Sequence, residues 1–151
     1  MISNASPLIN FAKLNKLDLL LKCTGNLAIS EGVFEEVVGK ESPSQEAQLI
    51  RAQIANGKVV TKKLNAAHLE KAKNLQETFG KLGVGESQTI ALALQEGEKE
   101  ALIDDSLARE VAELFGISPK GTLRILLIAF EKQIISAEEA KELFAKMVEN
   151  K

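Results

Sequence analysis

Apolar residues along the chain recur in two rhythms. The first is short and unbroken: Leu27-Ala28-Ile29-Ser30, Val59-Val60, Ala101-Leu102-Ile103 and Ile117-Ser118. Brief apolar runs bounded by turn residues predict buried strands. The second rhythm is helical. Ser6-Pro7 precedes Leu8, Ile9, Phe11, Ala12 and Leu14, which predicts a helix capped by Ser6 with Pro7 at its first position. A second helical run spans Leu17 to Lys22. Val33, Phe34, Val37 and Val38 recur with helical spacing and carry Glu31, Glu35 and Glu36 along.

The later chain repeats the alternation. Ser42-Pro43-Ser44-Gln45 resembles a capping box, followed by Ala47, Ile50, Ile54 and Ala55 on one face. Asn65 suits the cap of a helix carrying Ala72, Leu75 and Phe79, and residues 81–85 read as a loop. From Glu86 to Leu94 there is almost no polar face, which predicts a central, buried helix. Leu107, Ala108, Val111, Ala112, Leu114 and Phe115 form an amphipathic pattern. Gly121-Thr122 leads into Leu123 to Ala129, a further largely buried helix. Ser136 with Glu139 is a capping box for a last helix carrying Ala140, Leu143, Phe144 and Met147. Short strands alternating with helices predict βαβ units, hence an α/β fold with a parallel sheet covered on both faces. No repeat, low-complexity stretch or linker interrupts the pattern, so the expectation is a single domain over residues 1–151.

Composition narrows the function classes. No run of about 18 apolar residues is present, which excludes a helical membrane span. Met1 to Asn4 lacks a basic-then-apolar leader pattern, and Cys23 is the lone cysteine. Both lead to the expectation of a cytoplasmic protein without disulfides. A net charge of -2 argues against a basic nucleic-acid coat protein, though not against a nucleic-acid enzyme with a local basic rim. With no Trp or Tyr, base stacking is poorly supplied.

Candidate chemistry starts at Asp104-Asp105. These are two of the three Asp residues in the chain, the other being Asp18, and they follow an apolar run directly. Open α/β sheets bind ligands outside the carboxyl ends of their strands. Capping of the next helix by Asp105 or Ser106 is the competing reading. Three further positions could join the pair. If Met1 to Ser3 is the first strand, right-handed crossovers place Asn4 and Ser6 beside the strand ending at Asp104. Asn4 also suits a turn and Ser6 a cap. Glu36 borders the buried face defined by Val33 and Val37, where a solvated helix face is the plainer reading. Glu86 opens the most apolar helix, where an acid complements the helix dipole by about 0.3–1 kcal/mol. Converging carboxylates suit a hard divalent cation such as Mg²⁺ or Mn²⁺, which takes oxygen ligands and offsets their repulsion. Such an ion activates water for phosphodiester hydrolysis.

Other chemistries lack their residues. His68 is the sole histidine, which argues against a His-based triad or a zinc site. Neither a P-loop nor a dinucleotide fingerprint occurs. A phospho-receiver domain carries its acidic pair after the first strand, whereas here it follows the penultimate one.

Together these segments resemble a PIN domain, in particular a PIN-like subgroup of prokaryotic proteins related to VapC toxins. The resemblance is carried by Ser3-Asn4-Ala5-Ser6-Pro7-Leu8-Ile9, by Ser30 to Val37, by Gly85-Glu86-Ser87-Gln88-Thr89-Ile90-Ala91-Leu92-Ala93, by Leu102-Ile103-Asp104-Asp105-Ser106-Leu107-Ala108-Arg109, and by Gly121-Thr122-Leu123. It implies a three-layer αβα fold with a central, mostly parallel sheet of about five strands. It implies Mg²⁺- or Mn²⁺-dependent cleavage of single-stranded RNA by a homodimeric toxin held by an antitoxin. By position, Glu36, Glu86 and either Asp104 or Asp105 match the family's acids, and Ser6 a polar residue beside the metal. Asn4 stands where PIN nucleases carry their first Asp. An amide oxygen can ligate a hard cation, but it brings one charge fewer. The alternative expectation is therefore a catalytically silent module that binds RNA or protein. Lys13, Lys120 and Arg124 are candidate phosphate partners.

Overall fold

A computed structural model of the chain describes residues 1–39 and 44–149. Among these residues, five strands form one sheet: β1 (Ile2–Ser3), β2 (Leu27–Ser30), β3 (Val59–Lys62), β4 (Glu100–Leu102) and β5 (Ser118–Lys120). Their spatial order is β3-β2-β1-β4-β5. Every neighbouring pair is parallel. The covering helices are α1 (Ala5–Lys13), α2 (Leu17–Thr24), α3 (Glu31–Phe34), α4 (Gln45–Ala55), α5 (Ala66–Thr78), α6 (Val84–Glu96), α7 (Ser106–Leu114), α8 (Thr122–Glu131) and α9 (Ala137–Glu149). The architecture is the α/β, three-layer fold that the alternation and the resemblance predict.

Strand side chains sort into two cores. Leu27, Ile29 and Leu102 face one core with α1, α2, α8 and α9. Ala28, Ala101 and Ile103 face the other with α5, α6 and α7. Adjacent strand residues point to opposite faces, and here both faces are covered. That is why these strands read as continuous apolar runs rather than alternating ones.

Register sets up the site. Ile2 stands opposite Ala101, and Ser3 opposite Leu102. The ladder runs one step further, because the Asn4 N–H donates to the Leu102 carbonyl at 2.9 Å. Asn4 and Asp104 therefore leave the same sheet edge from neighbouring strands.

Several boundaries differ from expectation. Asn4, not Ser6, is the N-cap of α1, and its side chain makes no capping bond. The chain turns into the helix as soon as the β1 ladder ends, which puts Pro7 inside the first turn. There its missing N–H costs nothing. Ser44 caps α4 through a bond from the Ala47 N–H at 3.1 Å. Ser42 and Pro43, expected to open that helix, lie outside the described residues. α6 starts at Val84 rather than Glu86, with Gly83 as N-cap. The helix over Val33 passes into a π turn at Glu35–Gly39, which tucks Val37 and Val38 under together. β4 begins and ends one residue earlier than the predicted run, and β5 begins one residue later and runs on to Lys120.

The larger correction concerns α8. Ile125, Leu126 and Ala129 are buried, but Leu123, Leu127 and Phe130 are 41%, 44% and 43% exposed. The apolar residues encircle this helix, yet only one side of it meets the sheet. Its outer side and α9 line an open apolar groove of about 640 Å³.

Phe11 is fully buried, while Phe144 on α9 is 50% exposed. Phe11→Ala is expected to lower unfolding free energy by about 3–5 kcal/mol, and Phe144→Ala by less than about 1 kcal/mol. Urea denaturation of both variants checks this; equal midpoint shifts would contradict the assignment of the core.

Candidate functional site

The carboxyl edge of the sheet gathers side chains from four segments. Asn4 lies at the end of β1, 4% exposed, and its Oδ1 is buried with no hydrogen-bond partner. Orphaned buried acceptors are uncommon, because desolvation without a bond costs about 1–3 kcal/mol. What surrounds this oxygen explains its position. Gly85 of α6 packs against it: a methyl group on Gly85 would lie 3.6 Å from Asn4 Oδ1 and 2.9 Å from Glu36 Oε1. Glycine here lets an amide oxygen and a carboxylate approach the same stretch of backbone.

Glu36 reaches this point from the π turn, which follows α3. That helix is itself anchored at both contacts of its first turn. Ser30 Oγ accepts from the Val33 N–H at 3.1 Å, and Gln88 Oε1 on α6 accepts from the Gly32 N–H at 2.8 Å. The second bond ties the helix leading to Glu36 to the helix that carries Glu86. Glu36 itself is exposed.

Glu86 is the third helical residue of α6. Its Oε1 accepts from the Gly83 N–H at 2.9 Å, which completes half of a capping box; Gly83 has no side chain to complete the other half. Burial raises the Glu86 pKa most strongly. The Asp105 carboxylate beside it, within hydrogen-bonding reach, and the charge of Glu36 raise it further, against the Gly83 N–H. Glu86 is thus held among like charges at the start of a buried helix.

The two adjacent acids separate into different environments. Asp104 Oδ1 accepts from the Thr122 N–H at 2.6 Å. Its Oδ2 accepts from Thr122 Oγ1 at 2.6 Å and from Asn10 Nδ2 at 3.0 Å. Asp104 therefore fastens the end of β4 to the start of α8 and to the second half of α1. Asp105 caps α7, with Oδ2 accepting from the Ala108 N–H at 2.9 Å. It also stands against Glu86. The capping reading and the cluster reading both apply to Asp105.

Among the described residues, no three Asp, Glu, His or Cys side chains converge closely enough to hold a metal by themselves. The amide oxygen of Asn4 adds a further oxygen to the same neighbourhood. The set Asn4, Glu36, Glu86 and Asp105 is all oxygen, and among the described residues no cation pairs with its carboxylates. These residues fit a hard cation.

Other expected residues scatter. Ser6 and Arg124 are exposed and line a neighbouring cavity together with Asp104 and Asp105. Lys13 lies in the last turn of α1 and does not line it. Lys120 Nζ is paired with Glu100 Oε2 at 2.7 Å. Three residues were not among the expected site residues, although two of them lie in the segments that carry the resemblance: Asn10, Arg109 and Thr122. Asn10 lies four residues after Ser6 and Arg109 four after Asp105, a spacing that places each pair on one helix face. That spacing was the available signal.

A family model described as a PIN domain matches residues 1–151 of the chain. Comparison with the curated proteins finds no match.

The Glu86 environment gives a pH prediction. Its folded pKa lies above the unfolded value, so its ionisation opposes folding, and stability falls as pH rises between the two. Glu86→Gln keeps an oxygen for the Gly83 N–H and removes the charge. At about pH 8 the variant is expected to be more stable by about 0.5–1 kcal/mol after solvent screening. The gain should vanish near pH 4, where the wild-type carboxyl is itself protonated. Urea midpoints at both pH values measure it; a gain of equal size at both would refute the electrostatic origin.

Proposed function

The chain belongs to the PIN-domain family, a family of nuclease type that generally uses divalent metals, and on that premise we propose that it is a metal-dependent endoribonuclease. The observation that carries the proposal is the buried Oδ1 of Asn4, without a hydrogen-bond partner among the described residues, which meets the Gly85 backbone beside the Glu36 carboxylate. In this reading Asn4 Oδ1, Glu36, Glu86 and Asp105 hold Mg²⁺ or Mn²⁺. When bound, the ion supplies an activated water and offsets charge on the phosphoryl oxygens of RNA.

The chain's own residues do the remainder. Glu86 keeps Oε1 on the Gly83 N–H, which leaves Oε2 for the ion. Asp105 orients Glu86 and keeps α7 capped. Asp104, bonded through both oxygens, acts as the fastening that sets the distance between β4 and α8. The buried helix α6 holds Glu86 and Gly85 on a rigid base, which suits a site needing sub-ångström placement.

The reading takes residues 1–151 as one domain and includes a toxin role in the cytoplasm, with single-stranded RNA as substrate. The exposed apolar row on α8 and α9 supports the protein contacts that go with it, a second copy of the chain and an antitoxin. No helix among the described residues is long and apolar enough to cross a membrane.

One observation favours a second reading, a catalytically silent module that binds RNA or protein: Asn4 removes a charge from the cluster. Cleavage of single-stranded RNA in Mn²⁺ by the wild type, Asn4→Asp and Asp105→Asn separates the two. As an enzyme, the wild type cuts, Asp105→Asn falls by about 10–100-fold or more, and Asn4→Asp binds Mn²⁺ more tightly. If only Asn4→Asp cuts, the natural protein is the silent form. Undiminished cutting by Asp105→Asn would sink the assigned metal set.

A further inference from the structure

Next to the acidic cluster lies a cavity of about 550 Å³. Asp105 belongs to both, since it lines the cavity and stands against Glu86. The cavity also presents two guanidinium groups, Arg109 and Arg124, facing a region of small polar residues, Ser6 and Asn10. No aromatic side chain is part of its lining.

Arg109 is the informative residue. It is half-buried on α7, one helical turn after Asp105. Its Nη1 donates to the Ile103 carbonyl over a long 3.4 Å. Among the described residues it has no ion pair. The Asp104 carboxylate lies nearby, since a methyl group on Gly121 would also come within 3.0 Å of its Oδ1, but its oxygens bond to Thr122 and Asn10 and not to Arg109. Space for the guanidinium is built in: a methyl group on Gly121 would come within 2.7 Å of Arg109 Nη1. A guanidinium carries five donors in a fork that matches two phosphoryl oxygens. Here most of that fork is unspent, in a cavity that opens beside carboxylates.

We propose that this cavity is a phosphate subsite for the nucleotide adjoining the scissile bond, with Arg109 holding its non-bridging oxygens and Arg124 as the outer cation. The proposal rests on the nuclease reading above and adds how the substrate is gripped. The acidic cluster repels an incoming polyanion, and the two arginines lining the adjoining cavity offset that repulsion. With no aromatic platform in the cavity, the strand is held there by its backbone and not by stacked bases. Arg109 is a binding and positioning residue, remote from the reacting atoms.

Fluorescence anisotropy with labelled single-stranded oligo-U, oligo-A and oligo-C, measured over a range of salt, tests this. Arg109→Gln is expected to weaken binding about tenfold. The slope of log affinity against log salt should shrink by about 0.7, the share of one phosphate on a single strand. The loss should be the same for all three sequences. Arg109→Lys should keep the salt slope and lose part of the affinity, because it keeps the charge without the fork; it also serves if the Gln variant folds poorly. Wild-type affinity and slope in Arg109→Gln, while the wild type still cuts RNA, would overturn the subsite and leave the nuclease reading standing. A loss confined to one base sequence overturns backbone gripping. Failure of the wild type to bind or cut any of the three removes both readings.

Discussion

The structure depends on all its strands pointing the same way. In an all-parallel sheet every strand delivers its last residue to one edge, so segments far apart in sequence are forced into proximity there. Asn4 follows β1, Ser30 leads from β2 into α3 towards Glu36, Asp104 and Asp105 follow β4, and Gly121-Thr122 follows β5. The order β3-β2-β1-β4-β5 puts the first and fourth strands at the centre, side by side. Glu86 reaches the same edge differently, from the start of the buried helix α6. No side-chain chemistry is needed to bring these groups close; the apolar cores on both faces of the sheet do so.

Closeness has a cost at this edge. Carboxylates that gather without a counter-charge work against the fold, which is visible in the raised pKa of Glu86. Asn4 limits the repulsion, because an amide contributes an oxygen and no charge. The same substitution weakens any hold on a cation. As the cation site proposed above, the cluster sits between two demands, tolerable self-repulsion and sufficient attraction for a metal. The bonds of Asp104 to Thr122 and Asn10 show a different solution: donors from two helices satisfy that carboxylate within the protein itself.

The order of elements was legible in the sequence because apolar runs and helical stripes differ in period. Boundaries were less so. The start of α6 was hidden because Gly83 and Gly85 read as loop residues, although Gly85 is buried against Asn4 and Glu36. The apolar ring of α8 marks a helix without saying which side packs. No residue type announces the π turn at Glu35–Gly39. In the site, the acidic pair stood out by its position after an apolar run. Its division into a fastening residue and a cluster residue could not be read, since Thr122 and Asn10 come from distant segments. Arg109 was overlooked because one arginine in an amphipathic helix resembles any solvated charge.

The short pairing of β1 with β4 also governs when the molecule becomes complete. Ile2 and Ser3 are synthesised roughly a hundred residues before their partners Ala101 and Leu102. At about 5–20 residues per second, the ribosome holds β1 for several seconds with β2 as its only available neighbour. Asn4 is present from the start of that interval and Glu36 joins within it, whereas Glu86 arrives only near its end and Asp105 after it. The nascent chain thus stays without the finished acidic edge until β4 and Asp105 have been made, and a truncated product lacking β4 cannot assemble it at all.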